Sequence, residues 1–176
     1  MASSDSSLKA PRVGPSARFL LAHPAHFIAL GAGSGLSPVA PGTVATLWAW
    51  AAFLALQPYT TAFAWALILV LGFAVGCWAA AVSAQGLGVA DPGSIVIDEI
   101  VAFWLVLWLI TPCGWVLQGV AFILFRLFDA IKPGPVGWAD RAFHGGGLRG
   151  AFGIMFDDLV AAFCTLLLIA LWKAAT

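Results

Sequence analysis

The chain has 176 residues, a mass of 18.4 kDa and a mean hydropathy of +0.99. Hydrophobic residues make up 62% of it and charged residues 9%, against about 25% charged in an ordinary soluble domain. Eight basic side chains balance eight acidic ones, which excludes an ordinary soluble globule, a disordered chain and a basic nucleic-acid-binding surface, and leaves a small polytopic membrane protein.

In chain order, residues 1–18 are Ser-rich and aperiodic and read as a disordered cytosolic tail before a single membrane-embedded domain, 19–176. No short apolar stretch leads to a small-residue cleavage site, so the tail is not a secretory signal. His23 and His26 are expected at the membrane interface. The segment GAGSGLSPVAPGT, 31–43, is a Gly/Pro loop. A helix is predicted from Gly42 to Gln57, with a turn at Pro58. Tyr59–Ser83 is an uncharged run long enough to span a bilayer. QGLGVADPGS, 85–94, is a polar loop, followed by an apolar helix over Ile95–Ile110, a tight turn at 111–114 and a fourth helix over Trp115–Ile131. Residues 132–150 read as a Pro/Gly-rich polar loop and Phe152–Trp172 as the fifth helix. The fold class is therefore all-α, a compact polytopic membrane bundle of about five core helices with four or five spans.

The charges are clustered. No Asp, Glu, Lys or Arg occurs from Phe19 to Ala90, from Ile100 to Phe125 or from Leu159 to Trp172. With the N-terminus in the cytosol and five crossings, the 85–94 and 132–150 loops lie on that same side. Seven of the eight basic residues are then inside, as the positive-inside rule favours. Lys173 alone is outside, where it can snorkel at a helix end. Cys77, Cys113 and Cys164 are widely spaced and form no zinc-binding pattern; Cys77 and Cys164 behave as small hydrophobes.

This topology brings Asp98 and Glu99, Asp129, and Asp157 and Asp158 to one membrane face. Acids embedded near a bilayer are costly and usually functional. Neighbours on a helix point about 100° apart, so one adjacent pair does not chelate an ion alone, whereas oxygens from two helices can. Hard oxygen ligands suit Mg²⁺. The bland use of these acids is helix N-terminal capping. Arg126, Lys132 and Arg141 fit an anion pocket, or else salt bridges or positive-inside anchoring. The Gly/Pro loop leads into a helix N-terminus, where amides attract anions, with Ser34, Ser37 and Thr43 adding hydroxyls; no GKS or GKT follows, so it is not a P-loop. His144 is a proton donor or a surface histidine.

Four motifs in order carry a family resemblance: GSGLSPVAPGT at 33–43, GSIVIDE at 93–99, FRLFDAIKPGPVGWADR at 125–141, and HGG with GIMFDD at 144–146 and 153–158. With them the chain resembles the phosphatidylglycerophosphatase A family, lipid phosphatases of the bacterial inner membrane. The resemblance implies an all-α bundle and Mg²⁺-dependent removal of the terminal phosphate of phosphatidylglycerophosphate, the last step of phosphatidylglycerol synthesis, at the cytosolic face. It carries Asp98 and Glu99 onto the family's acidic pair, Arg126, Asp129, Lys132 and Arg141 onto its FR-x-x-D-x-x-K-P…DR motif, and Asp157 and Asp158 onto its closing DD. Expected metal ligands are Asp98, Glu99, Asp157 and Asp158. Expected catalytic groups are Asp98, Asp129 and Asp158, and the expected phosphate contacts are Arg126, Lys132, Arg141 and Thr43. Two departures are GLRGAF between Gly146 and Gly153, which brings Arg149 near the site, and Ala45-Thr46 where the family has Gly-Ser. Two mechanisms stay open: water activated at Mg²⁺ with Asp129 orienting it, or attack by an aspartate to give an aspartyl-phosphate. The non-enzyme alternative is a small ion carrier or channel component using the acids.

Overall fold

A computed structural model describes residues 15–143 and 145–175. They form eight α-helices and no strand: α1 (Ala17–Ala22), α2 (Pro24–Ala29), α3 (Pro41–Leu56), α4 (Ala62–Leu87), α5 (Ile97–Ile110), α6 (Trp115–Ile131), α7 (Pro135–Ala142) and α8 (Gly147–Ala175). The five predicted helices correspond to α3, α4, α5, α6 and α8, and the fourth has the predicted ends.

The short helices were not legible as apolar runs. Of the span read as a tail, residues 15–18 are described and lead into α1: Ser16 caps it by accepting the Phe19 amide, and His23 Nδ1 and Pro24 open α2. Residues 1–14 lie outside those described. The expected 132–150 loop contains α7, entered through Gly134 and Pro135, and the first turn of α8. Proline at a helix's first position is a start signal, since the amide it lacks has no partner there anyway.

α5 is the central helix. Its Ile100, Phe103, Val106 and Leu107 are buried among side chains of α3, α6 and α8, including Ala49, Phe53, Phe125 and Ala162. Burial of one face against these helices, with Trp104, Leu105 and Trp108 half-buried and Leu109 pointing outward, fits a helix with no polar stripe after its first turn. Trp50 of α3 donates to Gln118 Oε1 of α6 (2.6 Å) and Trp104 of α5 donates to the Ala49 carbonyl (2.8 Å), whereas the Nε1 of the fully buried Trp65 has no partner among the described residues.

Two helices are long and apolar enough to cross a membrane, α4 and α8, at about 39 and 43 Å for a rise of 1.5 Å per residue. Only 28% of α4's most apolar stretch and 39% of that of α8 are buried within the protein. The remainder, including Phe63, Val70, Leu71, Phe163 and Leu167, points outward, as on a lipid-facing helix and unlike the core helix of a soluble protein. α3, α5 and α6 are shorter, at about 21–26 Å.

Glycines set two of the approaches that position the charged end. Gly35 lies in the 3₁₀ helix Gly31–Leu36, and a Cβ on it would sit 2.1 Å from the Ser94 carbonyl oxygen. The adjacent segment is held by the Val96 amide donating to the Ala29 carbonyl (2.9 Å), which sets where α5 begins. A Cβ on Gly42, in the first turn of α3, would sit 2.2 Å from Glu99 Oε1 and 3.0 Å from the Arg126 guanidinium. The Gly-rich motif thus packs backbone against the start of α5. Its two serine hydroxyls are spent locally, Ser34 donating to the Gly31 carbonyl and Ser37 to the Val39 carbonyl, and beyond the motif Thr46 donates back to the Gly42 carbonyl.

Candidate active site

The start of α5, the end of α6, α7 and the first half of α8 converge on a cavity of about 150 Å³. Asp98, Glu99, Asp129, Lys132, Asp157 and Asp158 all line it, so six of the expected site residues meet in space. Asp140 of α7, which sequence reasoning did not single out, lines it as well. It stands one residue before Arg141 inside the quoted motif, and that adjacency was the available signal.

The carboxylates divide into two kinds. Asp98, Glu99 and Asp158 each offer one oxygen, and the three oxygens lie within 4.8 Å of one another. Asp98 Oδ1, Glu99 Oε2 and Asp158 Oδ2 are buried with no hydrogen-bond partner among the described residues. Buried anionic oxygens without partners are expensive, and a cation shared by all three removes both the desolvation cost and the mutual repulsion. Three hard oxygens from two helices fit Mg²⁺, which takes a few carboxylates and keeps waters for the rest of its shell.

The other carboxylates are ion-paired. Asp129 accepts from Arg126 Nη1, three residues earlier on α6, and the same nitrogen is 3.7 Å from Glu99 Oε1. Lys132 Nζ donates to Asp157 and, at 2.5 Å, to Asp140 Oδ1. Burial alone would lower the Lys132 pKa, but the hydrogen bonds to Asp140 and Asp157 outweigh it and raise the pKa, keeping the ammonium charged. Asp157 also accepts the Asp158 amide (3.0 Å) through its other oxygen. Asp157 therefore lines the cavity but is not one of the three clustered oxygens, because it points about a third of a turn away from Asp158 toward α6 and α7.

Three expected phosphate contacts stand elsewhere. Arg126 braces Glu99 and Asp129 and is not among the lining side chains. Arg141 is exposed on α7, and Thr43 is half-buried in the first turn of α3; neither lines the cavity. His144 lies outside the described residues. Arg149 is exposed on α8, its guanidinium 3.5 Å from the Ala142 carbonyl. GLRGAF itself extends α8 at its N-terminal end, and a Cβ on Gly150 would sit 1.9 Å from the Gly145 carbonyl oxygen.

Membrane-length helices around a buried acidic cluster, with a guanidinium and an ammonium bracing the acids, describe a helical membrane-associated protein with a polar candidate site at one end. The sequence profile of the family described as Phosphatidylglycerophosphatase A matches residues 27–173. The Phosphatidylglycerophosphatase A of Escherichia coli (strain K12) is 38% identical over 149 residues, covering 82% of this chain and 80% of the relative. The one from Haemophilus influenzae is 35% identical over 155 residues, covering 88% and 92%. A Bacteroides thetaiotaomicron protein, 39% identical over 152 residues and covering 81% and 89%, carries a name that provisionally assigns it as a phosphatidylinositol-3-phosphatase. No solved structure matches. The chain belongs to the phosphatidylglycerophosphatase A family, and it is a phosphatase.

Proposed function

We propose that this protein hydrolyses phosphatidylglycerophosphate to phosphatidylglycerol and phosphate, with Mg²⁺, as the final step of phosphatidylglycerol synthesis. The substrate reading rests on the two relatives named for this reaction. The single observation that carries the site is the trio of buried, unpartnered carboxylate oxygens of Asp98, Glu99 and Asp158. These residues would hold the metal. When bound, it would polarise a phosphoryl oxygen and offset the charge that builds up during transfer.

The remaining residues act on geometry and protons. Arg126 holds Glu99 and Asp129 in register. Lys132, on the cavity wall, presents a fixed positive charge to the phosphate and is held there by Asp140 and Asp157. Asp129 orients the attacking water and takes its proton. The water oxygen forms the new bond to phosphorus, the bond from phosphorus to the glycerol oxygen breaks, and that oxygen leaves as a hydroxyl after taking up a proton. The competing route, attack by an aspartate, predicts a phosphorylated aspartate that mass spectrometry of the quenched enzyme detects.

In this reading the protein is a multi-pass inner-membrane enzyme with its site on the cytosolic side. Outward apolar side chains on the shorter helices, such as Leu47 and Trp48 of α3 and Val116 and Ile123 of α6, support their embedding beside α4 and α8. A carrier would need ionisable groups through the depth of the membrane. Here the acids gather at one end, and charge-free helix lies between that end and Lys173.

The test is phosphate release from phosphatidylglycerophosphate by purified protein in detergent, with Mg²⁺ and with EDTA, beside Asp98→Asn and Asp158→Asn. Mg²⁺-dependent release that both variants lose is expected. Folded wild-type protein that releases no phosphate would overturn the assignment.

A further inference from the structure

Beside the acidic cavity lies a second, larger one that the reaction centre does not use. It has a volume of about 680 Å³, within the range of about 300–1,000 Å³ typical of small-molecule sites, against about 150 Å³ for the acidic cavity. It runs between the last turns of α4 and the first turn of α8. Its walls are mainly apolar, with Trp78, Val82, Val89, Leu148 and Ala151 among them.

The two cavities are contiguous. Ala90 belongs to both linings, and the neighbours Gly145 and Gly146, like Gly150 and Ala151, lie one on each. The partition is largely glycine backbone, folded so tightly that a Cβ at Gly150 would collide with the Gly145 carbonyl. On its other side the groove is rimmed by Trp78, 42% exposed on the outward face of a membrane-length helix, and by Leu148, 69% exposed. A polar chamber separated by a thin wall from an apolar groove at the lipid boundary matches the two halves of a phospholipid.

We propose that this groove takes one acyl chain of the lipid phosphomonoester while its phosphate occupies the acidic cavity, so that α4 and the start of α8 set the chain-length preference. The inference rests on the phosphatase reading above. Burial of methylenes in the groove adds affinity for the long-chain substrate, and a substrate too short to reach it gains nothing.

The experiment compares dipalmitoyl and dihexanoyl phosphatidylglycerophosphate with wild-type protein, Ala84→Trp and Ala81→Phe. Both alanines are half-buried on the groove wall and distant from the carboxylates in sequence. Each variant is expected to raise KM for the long-chain substrate about tenfold, as expected if about two methylenes are displaced, with little change for the short one. A second measurement does not depend on either variant folding: phosphatidylglycerol bearing a diazirine at the end of one acyl chain should label wild-type residues within 78–89 or 146–151. Labelling confined to other helices, or an equal change for both substrates in folded variants, would overturn the proposal. Because wild-type turnover is measured in the same assay, a failed phosphatase reading shows separately as no phosphate from either substrate.

Discussion

At the scale of single residues, the proposed metal site depends on how Asp98, Glu99 and Asp158 are aimed, and Gly42 packs against Glu99. A methyl group there would sit 2.2 Å from Glu99 Oε1, with the Arg126 guanidinium at 3.0 Å behind it, so Glu99 has to move. A displacement of about 1 Å in a positioned catalytic group costs on the order of a hundredfold in rate. Gly42→Ala is expected to lose about that much kcat and to need more Mg²⁺ for half-maximal activity, while its thermal unfolding stays close to wild type. Wild-type kinetics in Gly42→Ala would show that Glu99 is not held where the reaction needs it. The five acids near the site were legible from charge clustering and from the motifs. Their division into three unpartnered oxygens and two ion pairs was not, because it turns on the rotation of α5, α6 and α8 about their axes, which neighbouring packing decides.

At the scale of elements, α3, α4, α5, α6 and α8 could be read directly because long apolar runs bounded by Gly, Pro and charge leave few other solutions. α1, α2 and α7 are short and mixed in composition, so their helicity comes from caps and from docking onto larger helices rather than from periodicity. The α2–α4 junction shows what such docking involves. His26 Nδ1 and Ser83 Oγ are 2.9 Å apart in a buried contact, and the His26 ring stacks on Phe19 at 3.9 Å. Burial, and then the neighbouring His23, lower the His26 pKa below 6.5. The unfolded chain therefore takes up this proton more readily than the folded one. The stabilisation is complete above the unfolded pKa and is lost as pH falls from there through the folded pKa. Hydrogen exchange of residues 24–29 and 79–86 should speed up as pH drops from about 7.5 to about 5.5, after correction for intrinsic rates, across the range where histidine ordinarily titrates. His26→Gln should remove most of that pH dependence; an unchanged pH response in the variant would assign it to another group.

At the scale of the whole molecule, two helices have membrane length and three fall short of a hydrocarbon core about 30 Å thick. If α3, α5 and α6 nevertheless cross, the 111–114 turn and the 85–94 loop lie on opposite sides. Cys113, half-buried in that turn, is a native reporter. In right-side-out vesicles a membrane-impermeant maleimide should label Cys113, whereas Ala90→Cys should be labelled only after permeabilisation. Labelling of both from the same side would reduce the number of crossings and make α5 and α6 a re-entrant pair.

Sequence alone determined that this chain is helical and apolar, that its charges gather in a few places, and that its motifs are those of a phosphatase family. Each of these is a property of residue order along the chain and survives without coordinates. Tertiary structure decided which acids are free to share a cation, that Arg126 is a brace and not a cavity-wall residue, and that Asp140 joins Lys132. It also decided that an apolar groove adjoins the polar chamber. These outcomes depend on close backbone approaches at Gly35, Gly42 and Gly150. The space a missing side chain leaves is occupied by a partner distant in sequence or across a turn, and residue order does not name that partner.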